Sequence, residues 1–289
     1  MWRLSGYIFT IISAVSFGIM PILARFAYAA GAEPITVLFL RFLAASILMF
    51  AILFVRRIPL PRGKTLFHLF LMGGLGYVGQ SMCYFNALTV ASASLVSLLL
   101  YLYPVLVTVL SVLFLKDRIT PVKLAALGLA LLGAFLTIGF SGEGSPLGIV
   151  LGLGAAVIYS VYIVAGSQVM QNVQALPASA VIMASAAVVY GGLAAVRGTV
   201  LPATPGGWWA ILGIAVIGTV VAITTFMAGI ERIGPTNAAT VSTLEPVVAV
   251  LLAGLLLNES LSPLKLAGGA LILAAVVILT RAGSKPEAS

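Results

Sequence analysis

The stretch PTNAATVSTLEPVVAVLLAGLLLNESLSP, Pro235 to Pro263, sets a Glu-Pro pair, Glu245 and Pro246, in the middle of an otherwise uncharged apolar run. Read as a helix to about Leu257, it is long enough to cross a bilayer, and a carboxylate at that depth is costly unless it faces protein or water. The helix is therefore expected to line something. Pro246 has no backbone N–H and crowds the preceding turn, which predicts a kink and a carbonyl freed beside Glu245.

The same stretch has an earlier copy. Sliding the sequence by 142 residues lays Leu102–Leu131 on Leu244–Leu273, and 12 of these 30 positions are identical. Leucines match by chance, so the weight rests on punctuation and charge: Pro104 with Pro246, Pro121 with Pro263, Lys123 with Lys265, and Asp117 with Glu259. Gly6 falls on Gly148 at the same offset. The chain reads as a duplication, residues 1–142 and 143–289.

A 62% hydrophobic, 8% charged chain of mean hydropathy +1.21 has too little polar surface for a soluble fold. Ten apolar segments can be marked, at about 5–29, 35–55, 66–89, 92–114, 121–140, 147–170, 177–197, 207–231, 235–257 and 263–281. Each can span the hydrocarbon as a helix. The expectation is an all-α integral membrane protein with ten transmembrane helices; the alternation of a β-barrel is missing. The first segment has no small-residue cleavage site after it and reads as a retained span.

The net charge of +8 is spread over connecting loops, so no nucleic-acid surface is expected. With the N-terminus inside, eleven Lys and Arg collect on the cytoplasmic side, from Arg3 through the Arg56–Lys64 loop to Lys285, against Arg197 and Lys265 outside. That asymmetry predicts cytoplasmic termini. Five spans per half is an odd number, so the second half enters from the opposite side and the repeats are inverted. Lys116 and Arg118 accordingly become Asn258 and Ser260 in the second copy. Inverted repeats typically hold a binding site near the midplane between the halves. The connections are short, with turns such as Gly234-Pro235.

Polar residues recur at helical spacing. Tyr77, Gln80 and Tyr84 share one face of the third span, and Ser94, Ser97, Tyr101, Pro104 and Thr108 one face of the fourth. Tyr159 and Tyr162 lie together in the sixth, while Thr236, Thr240 and Thr243 form a stripe beside Asn237, Ser242 and Glu245 in the ninth. Small hydroxyl residues commonly serve helix packing. Membrane tyrosines usually sit at the interfaces, yet Tyr77, Tyr101, Tyr103, Tyr159 and Tyr162 fall at mid-depth. Either a wet cavity walled by aromatic rings or a dry core of mutually bonded tyrosines accounts for them. Arg25 and Arg41, near the outer ends of the first two spans, read as snorkelling with Glu33 as counter-ion, or as a positive rim.

The sequence has one histidine, one cysteine (Cys83), no His/Asp/Glu cluster at metal spacing and no Gly-x-Ser-x-Gly, so neither an intramembrane enzyme nor a metal or cofactor site is expected. No phosphate loop for ATP and no channel filter is present.

Ten short-looped helices, Arg41-Phe42 in the second span, Pro104 before Lys116-Asp117-Arg118, and above all LEPVVAVLLAGLLLNESLSPLKLAGGALIL, Leu244–Leu273, resemble the EamA-type branch of the drug/metabolite transporter superfamily. The length and tyrosine-rich middle are most similar to YddG-like amino-acid exporters. The resemblance implies a basket in which spans 1, 3, 4, 6, 8 and 9 surround a central substrate cavity, lined by Phe17, Tyr77, Gln80, Tyr84, Tyr101, Tyr159, Tyr162, Ser242 and Glu245. It further implies a secondary transporter of the bacterial inner membrane that exports small metabolites, amino acids with aromatic or other apolar side chains among them. Two departures stand out: the seventh span has no arginine answering Arg41, and the first acidic turn carries Lys116-Asp117-Arg118 where the family usually has Gly-Glu.

Overall fold

A computed structural model describes residues 2–115, 120–139, 145–170 and 173–282; the Lys116-Asp117-Arg118 turn lies outside these. Thirteen helical segments follow one another: α1 Trp2–Ala29, α2 Pro34–Val55, α3 Gly63–Leu71, α4 Val78–Val90, α5 Ala93–Leu100, α6 Tyr103–Leu115, α7 Pro121–Gly139, α8 Pro146–Met170, α9 Ala175–Arg197, α10 Pro205–Ala215, α11 Ala222–Ser242, α12 Leu244–Leu257 and α13 Pro263–Ala282. No β-strand occurs among the described residues. Prolines open α2, α7, α8, α10 and α13, where a missing N–H costs nothing because the first turn has no partner for it. Six helical stretches are long and apolar enough to cross a membrane, and α7, α12 and α13 add shorter apolar helices. This is a multi-pass membrane protein.

Two departures from regular helix recur in both halves. π-helical turns at Met72–Tyr77 and Val216–Val221 join α3 to α4 and α10 to α11. The stretches read from sequence as the fourth and ninth spans are each broken, at Tyr101–Leu102 between α5 and α6 and at Thr243 between α11 and α12. Tyr101 and Thr243 are 142 residues apart, and Pro104 and Pro246 sit just inside the second piece of each. A proline cannot donate to the carbonyl four residues back, so Leu100 and Ser242 lose their helical donors at these points.

The expected turn at Gly234-Pro235 falls inside α11, which is continuous through it although Pro235 donates no bond to the Glu231 carbonyl. In an apolar medium an exposed backbone group has nothing else to bond to, which favours keeping helical bonds where water would let them open. The chain still bends between Ile233 and Glu245, since Ile233 packs at Gly6 whereas Glu245 has returned to Gly18, a dozen residues along α1.

The halves interlock through the same contact made twice. A Cβ on Gly6 would come within 2.6 Å of Ile233, and one on Gly148 within 2.6 Å of Ala91. Both members of the first contact shift by 142 residues to give the second, so the first span of each half lies against the end of the other half's third. At one end of the molecule the loops are tied together. Ala203 donates to Ala30 (2.8 Å), Val200 to the Thr36 hydroxyl (3.1 Å) and Ser145 to Val90 (3.3 Å). Glu259 completes that end: its carboxylate accepts from the Ala93 amide (2.6 Å), the Ser94 amide (3.1 Å) and the Ser94 hydroxyl (2.5 Å) at the start of α5. Lys265, counted from sequence among the outer charges, stands at this same end and is 1% exposed, its ammonium 3.4 Å from the Ser92 hydroxyl and 3.3 Å from the Ser260 carbonyl.

Candidate functional site

Between the halves lies a cavity of about 460 Å³, walled by α1, the first π turn, α4, α5, α6, α8, α9, α11 and α12. Eight of the nine residues singled out from the sequence line it: Phe17, Tyr77, Gln80, Tyr101, Tyr159, Tyr162, Ser242 and Glu245. Tyr84 does not. It keeps the predicted face of α4 but stands one turn beyond Gln80, where α5 closes over it; its hydroxyl meets that of Ser97 at 3.3 Å and it is 3% exposed. The side chains of Thr236 and Thr240 lie outside the described residues.

The two helix breaks meet at the cavity wall. Leu100, Tyr101 and Tyr103 come from one and Ser242 and Glu245 from the other; Tyr103 and Glu245 occupy equivalent places in the two halves. The Tyr101 hydroxyl donates to the Ser242 carbonyl (2.6 Å) and lies 3.0 Å from Glu245 Oε2. The carbonyl that Pro246 strips of its helical donor is thus taken up by a tyrosine of the other half. One phenolic proton faces two acceptors, and the carbonyl is the nearer.

An aromatic belt runs round the wall from there. Ring centroids step from Tyr101 to Tyr103 (5.9 Å), Tyr159 (4.8 Å), Tyr162 (5.8 Å), Tyr77 (6.0 Å) and Phe42 (5.6 Å), and Phe42 stacks on Tyr190 (5.6 Å). The hydroxyls of Tyr77, Tyr103, Tyr159 and Tyr162 have no partner among the described residues, and none is sealed in packed protein. A phenol in that position needs water or a ligand, which favours the wet cavity over a dry core of bonded tyrosines. Tyr190, behind the belt, is the dry kind: its hydroxyl donates to the Val78 carbonyl (2.9 Å) and pairs with Ser81 (2.9 Å).

Sequence reasoning missed the seventh span. Ala175, Ser179, Ile182 and Met183 of α9 line the cavity, as do Met72, Phe226 and Met227, and apolar residues at ordinary spacing give no signal for that. Ser167, exposed near the end of α8, also lines it, so the cavity reaches the surface at the end opposite Glu259. Among the described residues no group of three or more His, Cys, Asp or Glu could hold a metal ion.

Neither arginine snorkels freely. Arg25 is half-buried and donates to the Leu88 carbonyl at 2.8 Å. Arg41 is 2% exposed; its Nε donates to the Thr219 hydroxyl at 2.9 Å and its guanidinium carbon lies 4.7 Å from the centre of the Phe42 ring.

Known proteins share this architecture. The model of the EamA-like transporter family matches the chain twice, over residues 4–139 and 146–281. The uncharacterized inner membrane transporter YedA of Escherichia coli is 31% identical over 254 residues, covering 86% of this chain and 81% of the relative. The uncharacterized transporter YcbK of Bacillus subtilis is 28% identical over 277 residues, covering 91% and 89%. A solved crystal structure superposes with a TM-score of 0.70 over 96% of this chain and 98% of its own, at 20% identity, which speaks for the fold alone.

Proposed function

The chain belongs to the EamA-like transporter family, and we propose that it exports small metabolites, chiefly amino acids with aromatic or other apolar side chains, by alternating access between two inverted five-helix repeats. In this reading the ten spans are counted by joining α3 to α4, α5 to α6, and α10 to α11 as far as Ile233, with the end of α11 and α12 together making the ninth, and the repeats are residues 1–142 and 143–289. The chain is a multi-pass membrane transporter rather than an enzyme, and its kinship with an inner membrane transporter supports the bacterial inner membrane as its place.

One observation carries the substrate class: a cavity whose wall is a belt of tyrosines with a single carboxylate, Glu245, at the junction of two broken helices. Apolar rings accept an apolar side chain, and the carboxylate with its surrounding hydroxyls suits an ammonium group. Cytoplasmic termini, predicted by the loop charges, make the Ser167 end the inner mouth. Glu259 and its partners then close the outer end, and this is an inward-facing state. The test is counterflow of labelled amino acids and nucleosides in proteoliposomes. Saturable counterflow of phenylalanine or leucine is expected. Exchange confined to nucleosides would instead favour that metabolite class, and linear, non-saturating flux would indicate a channel.

A further inference from the structure

We propose that Arg41 is the anion-recognising group of the transport pathway, sealed in the present state and presented to the cavity when the protein opens towards the Glu259 end. The transported molecules then carry an anionic group, a carboxylate in the amino acids proposed above. This inference rests on the alternating-access reading of the cavity.

Among the described residues Arg41 is the largest fully buried side chain, yet no carboxylate of theirs lies within ion-pair distance of it. A guanidinium has five N–H donors, and here Nε alone is used, on Thr219. The rings of Phe42 and Phe85 lie against it, the latter centred 5.3 Å from its guanidinium carbon, and the phenols of Tyr28, Tyr84 and Tyr190 stand within reach of its charge. The two terminal nitrogens bond to no described residue, and they are not among the atoms sealed in packed protein, so they border open space. A cation left in that position within a bilayer is destabilising where an apolar residue of similar volume would not be. Packing alone does not account for it.

The repeat shows where it leads. The 142-residue offset places Arg41 on Met183, and the one-residue slip that pairs Pro34 with Pro177 places it on the adjoining Ala184; Met183 and its neighbour Ile182 line the cavity. At the level of elements their settings match, through residues beside Met183 rather than Met183 itself. Arg41 in α2 meets Thr219 in the π turn of the second half, while Ile182 and Ser185 in α9 press against Gly73 in the π turn of the first. When the two halves exchange shapes, Arg41 takes on the wall the place that Met183 holds now. The aromatic belt already ends on Phe42, beside it. A planar fork of donors in a low-dielectric wall pairs with a carboxylate through two parallel bonds.

The test reads local charge and needs no substrate. In full-length Cys83→Ala protein in lipid nanodiscs, Thr219→Cys should react roughly tenfold faster with an anionic sulfonate thiol reagent than with its cationic trimethylammonium counterpart, after scaling to their rates at Ser167→Cys. Adding Arg41→Met, which copies the other half, should abolish the preference and keep the labelling. Arg41→Lys and Arg41→Gln form a second pair, the first keeping the preference and the second losing it. A Thr219→Cys that reacts with neither reagent, or with both at the exposed-cysteine ratio, would overturn the inference. Ser179→Cys, on the present cavity wall, separates the two readings: if it labels and Thr219→Cys does not, only the role of Arg41 fails, whereas no labelling at either position removes the water-filled cavity itself.

Discussion

Ser242 and Tyr101 show how one residue choice propagates. Pro246 removes the donor that Ser242 would have had, the freed carbonyl draws the Tyr101 hydroxyl from the other half, and that hydroxyl holds Glu245 at the cavity wall. Tyr101→Phe keeps the ring and deletes both contacts. A partly buried hydrogen bond contributes about 1 kcal/mol, so the variant should stay folded by size-exclusion profile while its counterflow rate falls several-fold. An unchanged rate would make the pair incidental. Glu245→Gln addresses the proton. If the carboxylate exchanges one during the cycle, the amide should abolish the response of flux to an imposed pH gradient and leave gradient-free counterflow largely intact; a parallel loss of both would assign Glu245 to structure. The Glu-Pro signal was legible in the sequence because charge and proline are both rare at that depth. Arg41 was half-legible: its depth could be read, but not that its neighbours would be aromatic rings and a threonine.

At the scale of elements, spacing reports the face of a helix and is silent on depth. Tyr77, Gln80 and Tyr84 were read as one stripe and they are one, yet the cavity ends below Tyr84 because α5 packs there. The π turns had no sequence signature, since the extra residue per turn shows only against a neighbour. Proline breaks did have one, and Pro104 and Pro246 mark both broken spans; Gly234-Pro235 looked equally strong and α11 continues through it. Lys265 was counted by its side of the membrane alone, and spacing gave no sign that it is buried beside Ser92. The clasp of Glu259 on the start of α5 joins the two halves at the closed end, with three donors on one carboxylate. Charge-assisted bonds contribute about 1.5–3 kcal/mol each, and every 1.4 kcal/mol or so is a factor of ten in a conformational equilibrium. Glu259→Gln should therefore raise labelling of Ser97→Cys, now buried behind the clasp, by roughly tenfold or more in the Cys83→Ala background. Labelling that stays at the parental rate would show that the clasp does not hold this end shut.

For the whole molecule, duplication is the most legible property and the conformational state the least. The offset of 142 residues recurs in the helix breaks, in the two glycine contacts and in the two family matches. Which end is closed depends on contacts such as Glu259 with Ala93, between residues far apart in the chain, and no spacing reveals those. The orientation proposed from loop charge makes a plain demand: Pro202→Cys should label from outside intact cells and Lys64→Cys only after the inner face is exposed. The reverse pattern would invert every assignment of inner and outer made here. The central claim is that the tyrosine-walled cavity at the two helix breaks is one site reached alternately from each face. Its most direct test is a single cysteine at Ser242, in the Cys83→Ala background, treated with a membrane-impermeant thiol reagent in intact cells and in inside-out vesicles. The account predicts modification from both sides, slowed on both by transported substrate; modification from one side alone, under every condition, would contradict it.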